Sequence, residues 1–107
     1  MYNLRVSEQV ELFLRSLPPG PKHALKEAIG RLAKQRGDLK ALETNLSGYW
    51  RLRVGRYRVL FAYEKPMTIV CVHAGERSLI YEVFGAMVRE HLEQAPDPDE
   101  NGETNKN

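Results

Sequence analysis

The chain has 107 residues, of which 42% are hydrophobic and 28% charged. That is the length of one domain with a small but real core, and the composition of an ordinary globular protein. Its longest apolar stretch, Met67 to Val72, falls far short of the roughly 20 residues a membrane-spanning helix needs.

The net charge of +2 hides an asymmetry. Residues 1–95 hold fifteen Lys and Arg against ten Asp and Glu, a surplus of +5, whereas Asp97, Asp99, Glu100 and Glu103 against Lys106 leave the C-terminal stretch at −3. A basic body suits a polyanionic partner. Cys71 is the single cysteine, so no internal disulfide is possible, and the N-terminus lacks the apolar run of a signal peptide. A cytoplasmic protein without a membrane partner is expected.

Tyr2, Leu4 and Val6 alternate with polar residues, which predicts a first strand. Ser7 suits a helix N-cap, and Val10, Phe13, Leu14 and Leu17 fall on one face of the helix that follows. Pro18-Pro19-Gly20 ends it, and Pro21 suits the first turn of a second helix. The stripe Leu25, Ala28, Ile29, Leu32 and Ala33 belongs to that helix, with Gly37 as its stop. The short link predicts an antiparallel helical hairpin.

Asp38 to Ser47 reads as a loop pinned by Leu39, Leu42 and Leu46. Tyr49–Val54 and Tyr57–Tyr63 are rich in aromatic and β-branched residues and flank Gly55-Arg56, the pattern of a hairpin. Lys65-Pro66 marks another turn, and Met67–His73 reads as a strand covered on both faces. Phe84, Met87, Val88 and His91 return to helical spacing over Phe84–Leu92. The order is βααβββα: an α+β fold with a mainly antiparallel four-stranded sheet, an N-terminal helical hairpin and a C-terminal helix. Residues 1–95 form the expected domain; 96–107 are acidic, poor in apolar residues and expected to be disordered.

The most informative run is Tyr49-Trp50-Arg51-Leu52-Arg53-Val54-Gly55-Arg56-Tyr57-Arg58, which holds four arginines and no acid. Strand alternation puts Arg51 and Arg53 on one face with Tyr49, and Trp50, Leu52 and Val54 on the other. Val59, Phe61 and Tyr63 make the apolar face of the next strand, so Arg58 joins Arg51 and Arg53 in normal antiparallel register. A phosphate chain gives a reason to gather guanidiniums that repel one another. The plain alternative is a solvated polar face shielded by long cationic side chains. Arg77 and Tyr81 lie beyond the last strand, placed to reach the rim of this face. A tyrosine there suits base stacking or proton exchange.

With these residues in view the chain resembles the RelE/ParE superfamily of toxin–antitoxin toxins over about residues 2–92. The resemblance rests on the helical pair, the run from Gly48 through Tyr63, the strand that follows, and His73-Ala74-Gly75-Glu76-Arg77 with Tyr81. It implies a toxin that cleaves messenger RNA on the ribosome, needs no cofactor or metal, and is held in a hetero-oligomer by a cognate antitoxin. Arg51 and Arg53 match the basic pair of the first hairpin strand, Arg58 the arginine after the hairpin tyrosine, Arg77 the arginine beyond the last strand, and Tyr81 the C-terminal tyrosine. The implied chemistry is attack of a 2′-hydroxyl on the adjacent phosphate. Arg58 and Arg77 would stabilise the transition state; Arg51 and Arg53, with Arg56 and Tyr49, would hold the RNA; Tyr81 would stack or carry a proton. Many active members carry lysine where this chain has Arg51 and Arg53, and arginine is the poorer proton carrier. The alternatives on the same fold are a ParE-like inhibitor of DNA gyrase and a non-catalytic homologue.

The remaining candidates read as structural. His73 can face the arginines' side, but its position one strand-end away favours a structural role; His91 lies on an apolar stripe; His23 is in a helical first turn. With Cys71 these show no metal-ligand spacing, and Cys71 reads as a buried strand thiol.

Overall fold

The computed structural model describes residues 1–77 and 80–94, with side chains to Arg89. The expected tail, 96–107, and the side chain of His91 lie outside the described residues. Among the described residues there are five strands: β1 (Asn3–Val6), β2 (Asp38–Ala41), β3 (Trp50–Val54), β4 (Tyr57–Glu64) and β5 (Thr68–Glu76). The helices are α1 (Glu8–Ser16), α2 (Pro19–Arg31) and α3 (Ile80–Gln94).

Two features of the sheet depart from the sequence expectation. It has five strands in the order β1-β5-β4-β3-β2, because Asp38–Ala41, read as loop, pairs antiparallel with β3. It is also mixed, since β1 runs parallel to β5. Nor do α1 and α2 form an N-terminal helical hairpin. The strand precedes them, and each lays its own apolar stripe on the sheet. Val10 of α1 and Leu25, Ala28 and Ile29 of α2 pack against Leu52, Val59, Phe61, Ile69 and Cys71. Burying each stripe against the wider apolar face of a sheet removes more surface from water than helix-on-helix contact alone.

Local chemistry explains the joins. The Ser7 hydroxyl accepts from the Val10 N–H at 3.2 Å and donates to the Val72 carbonyl at 3.0 Å, so one side chain starts α1 and ties it to β5. Gln9 brackets Ala74 with both ends of its amide, each at 2.8 Å. This clamp lies beside a bulge in β5: Leu60 faces His73 while Phe61 faces Cys71, which leaves Val72 as the extra residue. After α2 the chain makes a short 3-10 turn, Leu32–Lys34, and enters β2 through Gly37. Gly37 has φ 131°, and a Cβ there would meet the Leu52 side chain at 2.9 Å.

The second face of the sheet carries a smaller core. Leu46, Leu60, Ile80 and Phe84 are buried there, with Tyr49, Val72 and Tyr81 packed around them. Helix α3 covers this face, and its start at Ile80 is earlier than the sequence spacing indicated. Its first residue, Ile80, packs over Gly75: the Ile80 side chain lies 3.6 Å from where a Cβ on Gly75 would sit, an ordinary van der Waals distance.

Candidate nucleic-acid interface

The antiparallel register brings the hairpin arginines to one face, as alternation predicts. Arg51 faces Leu60 and Arg53 faces Arg58 across β3 and β4. Strand β2 extends this face with Lys40 opposite Arg51 and Asp38 opposite Arg53. Lys40 was not visible to sequence reasoning. Its signal was the alternation Asp38-Leu39-Lys40-Ala41, in which Leu39 joins the main core, but four residues after a glycine are a weak strand pattern.

The arginines are not equivalent. Arg53 is exposed. The Arg51 side chain is only 16% exposed, and its guanidinium donates to the Asp38 carboxylate at 3.1 Å and to the Asp38 carbonyl at 3.0 Å. Arg58 is buried, at 8% exposure, which differs from the expectation of an open cation. Its guanidinium donates to the carbonyls of Gly55 at 2.8 Å and Tyr57 at 2.9 Å. The pairing with Arg53 explains why this is favourable: two guanidiniums directly opposite one another repel, and turning one onto carbonyl dipoles separates the charges.

The hairpin end gathers two more cations. The Arg77 N–H donates to the Arg56 carbonyl at 2.9 Å, which anchors the segment after β5 beside the hairpin turn. The Arg77 side chain is exposed. Arg56 pairs with Glu76 at 2.9 Å, and that hydrogen bond holds its pKa above the ordinary arginine value. Its guanidinium also sits 5.9 Å from the centre of the Tyr57 ring. Arg53, Arg56, Arg58 and Arg77 therefore meet at one end of the sheet, with Arg51 and Lys40 along the same face.

The two tyrosines sit differently. Tyr81 is half-buried in the small core under α3, which starts over Gly75, the partner of Arg58 in β5. Tyr49 lies at the other end of β3, with its ring edge-on to Phe84 at 5.0 Å. His73 is on this face too, 8% exposed, 5.6 Å from the Phe84 ring, and its Nδ1 has no hydrogen-bond partner among the described residues. Burial holds its pKa below the usual histidine value. Elsewhere, His23 is exposed and pairs with Glu27 one helical turn on. Cys71 is fully buried, and burial pushes its thiol pKa up to about 12. No described helix is long and apolar enough to cross a membrane.

No protein-family model and no curated protein matches the chain. Solved structures do. The toxin–antitoxin complex RelBE2 from Mycobacterium tuberculosis aligns at 26% identity and a TM-score of 0.61, covering 71% of this chain and 98% of that one. The RelB–RelE antitoxin–toxin complex from Methanococcus jannaschii aligns at 21% identity and 0.60, covering 75% and 98%. The YoeB–YefM complex from Staphylococcus aureus aligns at 16% and 0.57, covering 72% and 98%. The chain shares the fold of the RelE/ParE toxins. The superfamily's fold accounts for the mixed five-stranded sheet with helices on both faces.

Proposed function

We propose that this chain is the toxin of a toxin–antitoxin system and an endoribonuclease that cuts messenger RNA on the ribosome. The observation that carries the reading is the cationic face: Lys40, Arg51, Arg53 and Arg58 on neighbouring strands, with Arg56 and Arg77 at its end and Asp38 as the one acid paired into the β2–β3 register. Arg53, Arg77 and Lys40 are open to a phosphate chain. Arg58 reaches a phosphate by exchanging its two carbonyl acceptors for phosphate oxygens, which are stronger acceptors for a guanidinium.

The reaction follows from these groups. The 2′-hydroxyl attacks the adjacent phosphorus, a 2′,3′-cyclic phosphate forms, and the 5′-oxygen leaves with a proton. Arg58 and Arg77 stabilise the additional negative charge on the phosphoryl oxygens. Arg51, Arg53, Arg56 and Tyr49 hold the strand, and Tyr81 stacks on a base or supplies the leaving group's proton. Guanidiniums are weak bases, so positioning supplies much of the rate, as suits an RNA presented by the ribosome. The antitoxin would be the partner in a hetero-oligomer.

The burial of Arg58 favours a second reading: a ParE-like inhibitor of DNA gyrase, or a homologue that binds without cutting. In vitro translation with primer extension on the message separates these. Discrete cuts are expected; intact message with gyrase-linked DNA breaks would overturn the ribonuclease reading.

A further inference from the structure

Strand β5 changes phase along its length. Ile69, Cys71 and Ala74 all lie in the main core. Cys71 and Ala74 are separated by an odd number of positions, and a regular strand turns such residues to opposite faces. The bulge at Val72 makes the difference. Beyond it His73 faces Leu60, Gly75 faces Arg58 and Glu76 faces Tyr57. That register lets the Arg77 N–H reach the Arg56 carbonyl at 2.9 Å and the Arg56 guanidinium reach the Glu76 carboxylate at 2.9 Å. The place of Arg77 beside the hairpin turn therefore depends on one extra residue in β5.

The edge of β5 away from β4 holds that extra residue. β1 pairs with β5 only as far as Val6 opposite Cys71, after which the Ser7 N–H donates to the Cys71 carbonyl at 2.9 Å. From there two side chains at the start of α1 stand in for the missing strand. The Ser7 hydroxyl donates to the Val72 carbonyl at 3.0 Å. The half-buried Gln9 amide engages both backbone groups of Ala74: Nε2 donates to the carbonyl and Oε1 accepts from the N–H, each at 2.8 Å. A primary amide donates and accepts at once, so it reproduces the pair of groups that a neighbouring strand would offer. Without this clamp Val72 can re-enter the ladder. Arg58 then faces Ala74, and Arg77 is carried one residue, about 3.3 Å, along the hairpin.

We propose that Gln9 is a positioning residue for message cleavage: its two-ended clamp on Ala74 holds the bulge at Val72, and the register that follows sets Arg77 and Arg58 in the geometry that cleavage uses. The part played by the arginines rests on the ribonuclease reading; the clamp and the register do not. Gln9 belongs to α1, which packs on the main-core face of the sheet, opposite the arginines. Its substitution therefore leaves every cation of the site in the chain and changes only where two of them stand. An arginine out of register still attracts RNA, but it no longer meets the charge that develops on the reacting phosphate, where a misplacement of about 1 Å can cost about a hundredfold in rate.

Gln9→Met keeps the length of the side chain and removes both hydrogen bonds; Gln9→Glu keeps the acceptor and removes the donor. Ser7 is left in place because its hydroxyl also caps α1. By NMR on the isotope-labelled full chain, Gln9→Met is expected to weaken the NOEs joining Arg58 to Gly75 and to bring up NOEs joining Arg58 to Ala74. Hydrogen exchange at the Arg77 amide should quicken by about tenfold or more. Gln9→Glu should show the same changes near neutral pH. Its Ala74 and Arg77 amide shifts should return toward those of wild type at the same pH once the pH falls to about 4.5, where the carboxyl regains a proton to donate; those of Gln9→Met should not. Single-turnover cleavage of ribosome-bound message, over a range of protein concentrations and corrected for the folded fraction, gives the second readout. For Gln9→Met the saturating rate should fall by about tenfold or more while the half-saturating concentration stays within about twofold of wild type. Unchanged NOEs and exchange in Gln9→Met, or no return of the Gln9→Glu shifts, overturns the clamp. A lower Tm with an unchanged rate per folded molecule would make Gln9 a structural residue only and overturn its positioning role. An intact message with the wild type overturns the ribonuclease reading alone, and the NMR result still decides the clamp.

Discussion

Arg58→Ala is expected to lower stability as well as activity. The sequence places this side chain against solvent or RNA, where its removal would leave the fold unchanged. In the structure the residue is 8% exposed and donates at 2.8 and 2.9 Å to the carbonyls of Gly55 and Tyr57. A hydrogen bond from a charged donor contributes about 1.5 kcal/mol or more, and truncation leaves both carbonyls short of a donor. Two effects offset part of this loss. Alanine removes the repulsion from Arg53 directly opposite, about 0.5 kcal/mol, and water reaches the turn in place of the guanidinium. The net cost is roughly 2 kcal/mol, which for a domain of this size lowers Tm by about 8–16 °C. Thermal melts followed by circular dichroism on wild type, Arg58→Ala and Arg58→Lys test it. The lysine variant should fall between the other two, because one ammonium cannot fork onto both carbonyls. A Tm for Arg58→Ala within a degree or two of wild type would refute the carbonyl lock. The consequence for function is direct: cleavage must be compared per folded molecule, and at a temperature where Arg58→Ala is folded the loss should still be about a hundredfold.

His73 supplies a pH test. Burial lowers its pKa in the folded state, so unfolding takes up a proton. The stability this residue contributes is present above the unfolded value near 6.5 and is lost as pH falls toward the folded value. Urea melts at pH 7.5 and 5.5 should show a drop that His73→Leu reduces, at most about 1.4 kcal/mol per pH unit for one proton; an identical drop in the variant would contradict the burial. Cys71, with its thiol pKa pushed up to about 12, should resist iodoacetamide at pH 8 in the native protein and react once urea unfolds it, as mass spectrometry will report. Lys40→Glu should weaken binding to a single-stranded RNA oligonucleotide and reduce the slope of log affinity against log salt by about one unit or more; an unchanged slope would remove β2 from the interface.

The strongly periodic parts of the fold were legible. Val10, Leu25, Ala28 and Ile29 recur at helical spacing and are buried as that spacing requires. The Gly55-Arg56 hairpin forms in the register that alternation needs. What escaped was set at longer range. Strand β2 has only four residues, and Asp38–Ala41 becomes a strand because β3 offers it an edge. The parallel pairing of β1 with β5 joins residues more than sixty positions apart, and nothing local in Asn3–Val6 encodes direction. The early start of α3 brings Ile80 into the small core with Leu46, Leu60 and Phe84, residues far apart in the chain. A pattern of apolar residues that began at Phe84 carried no sign of that contact.

The candidate site divides along the same line. Which face each arginine occupies follows from period two, a property of the backbone, so Arg51, Arg53 and Arg58 were correctly grouped. Where each guanidinium points is decided by acceptors that the pattern does not contain. Arg51 finds Asp38 only because β2 exists, and Arg58 finds the carbonyls of Gly55 and Tyr57 because Gly55 takes φ 59° in the turn. Arg53 has no such acceptor among the described residues and is exposed. The result is a face whose cations are graded: Arg53, Arg77 and Lys40 are open, Arg51 is held by one carboxylate, and Arg58 is locked on two carbonyls. A phosphate chain arriving on this face meets the open cations first. It can recruit Arg58 only after its own oxygens replace the carbonyls, so affinity and catalysis load onto different residues. Neutralising Arg53 should therefore act mainly on RNA affinity, and neutralising Arg58 mainly on the rate at saturating RNA. Single-turnover cleavage over a range of RNA concentrations separates the two. Equal effects of Arg53→Ala and Arg58→Ala on both parameters would mean that the lock opens before RNA binds and that the grading has no functional consequence.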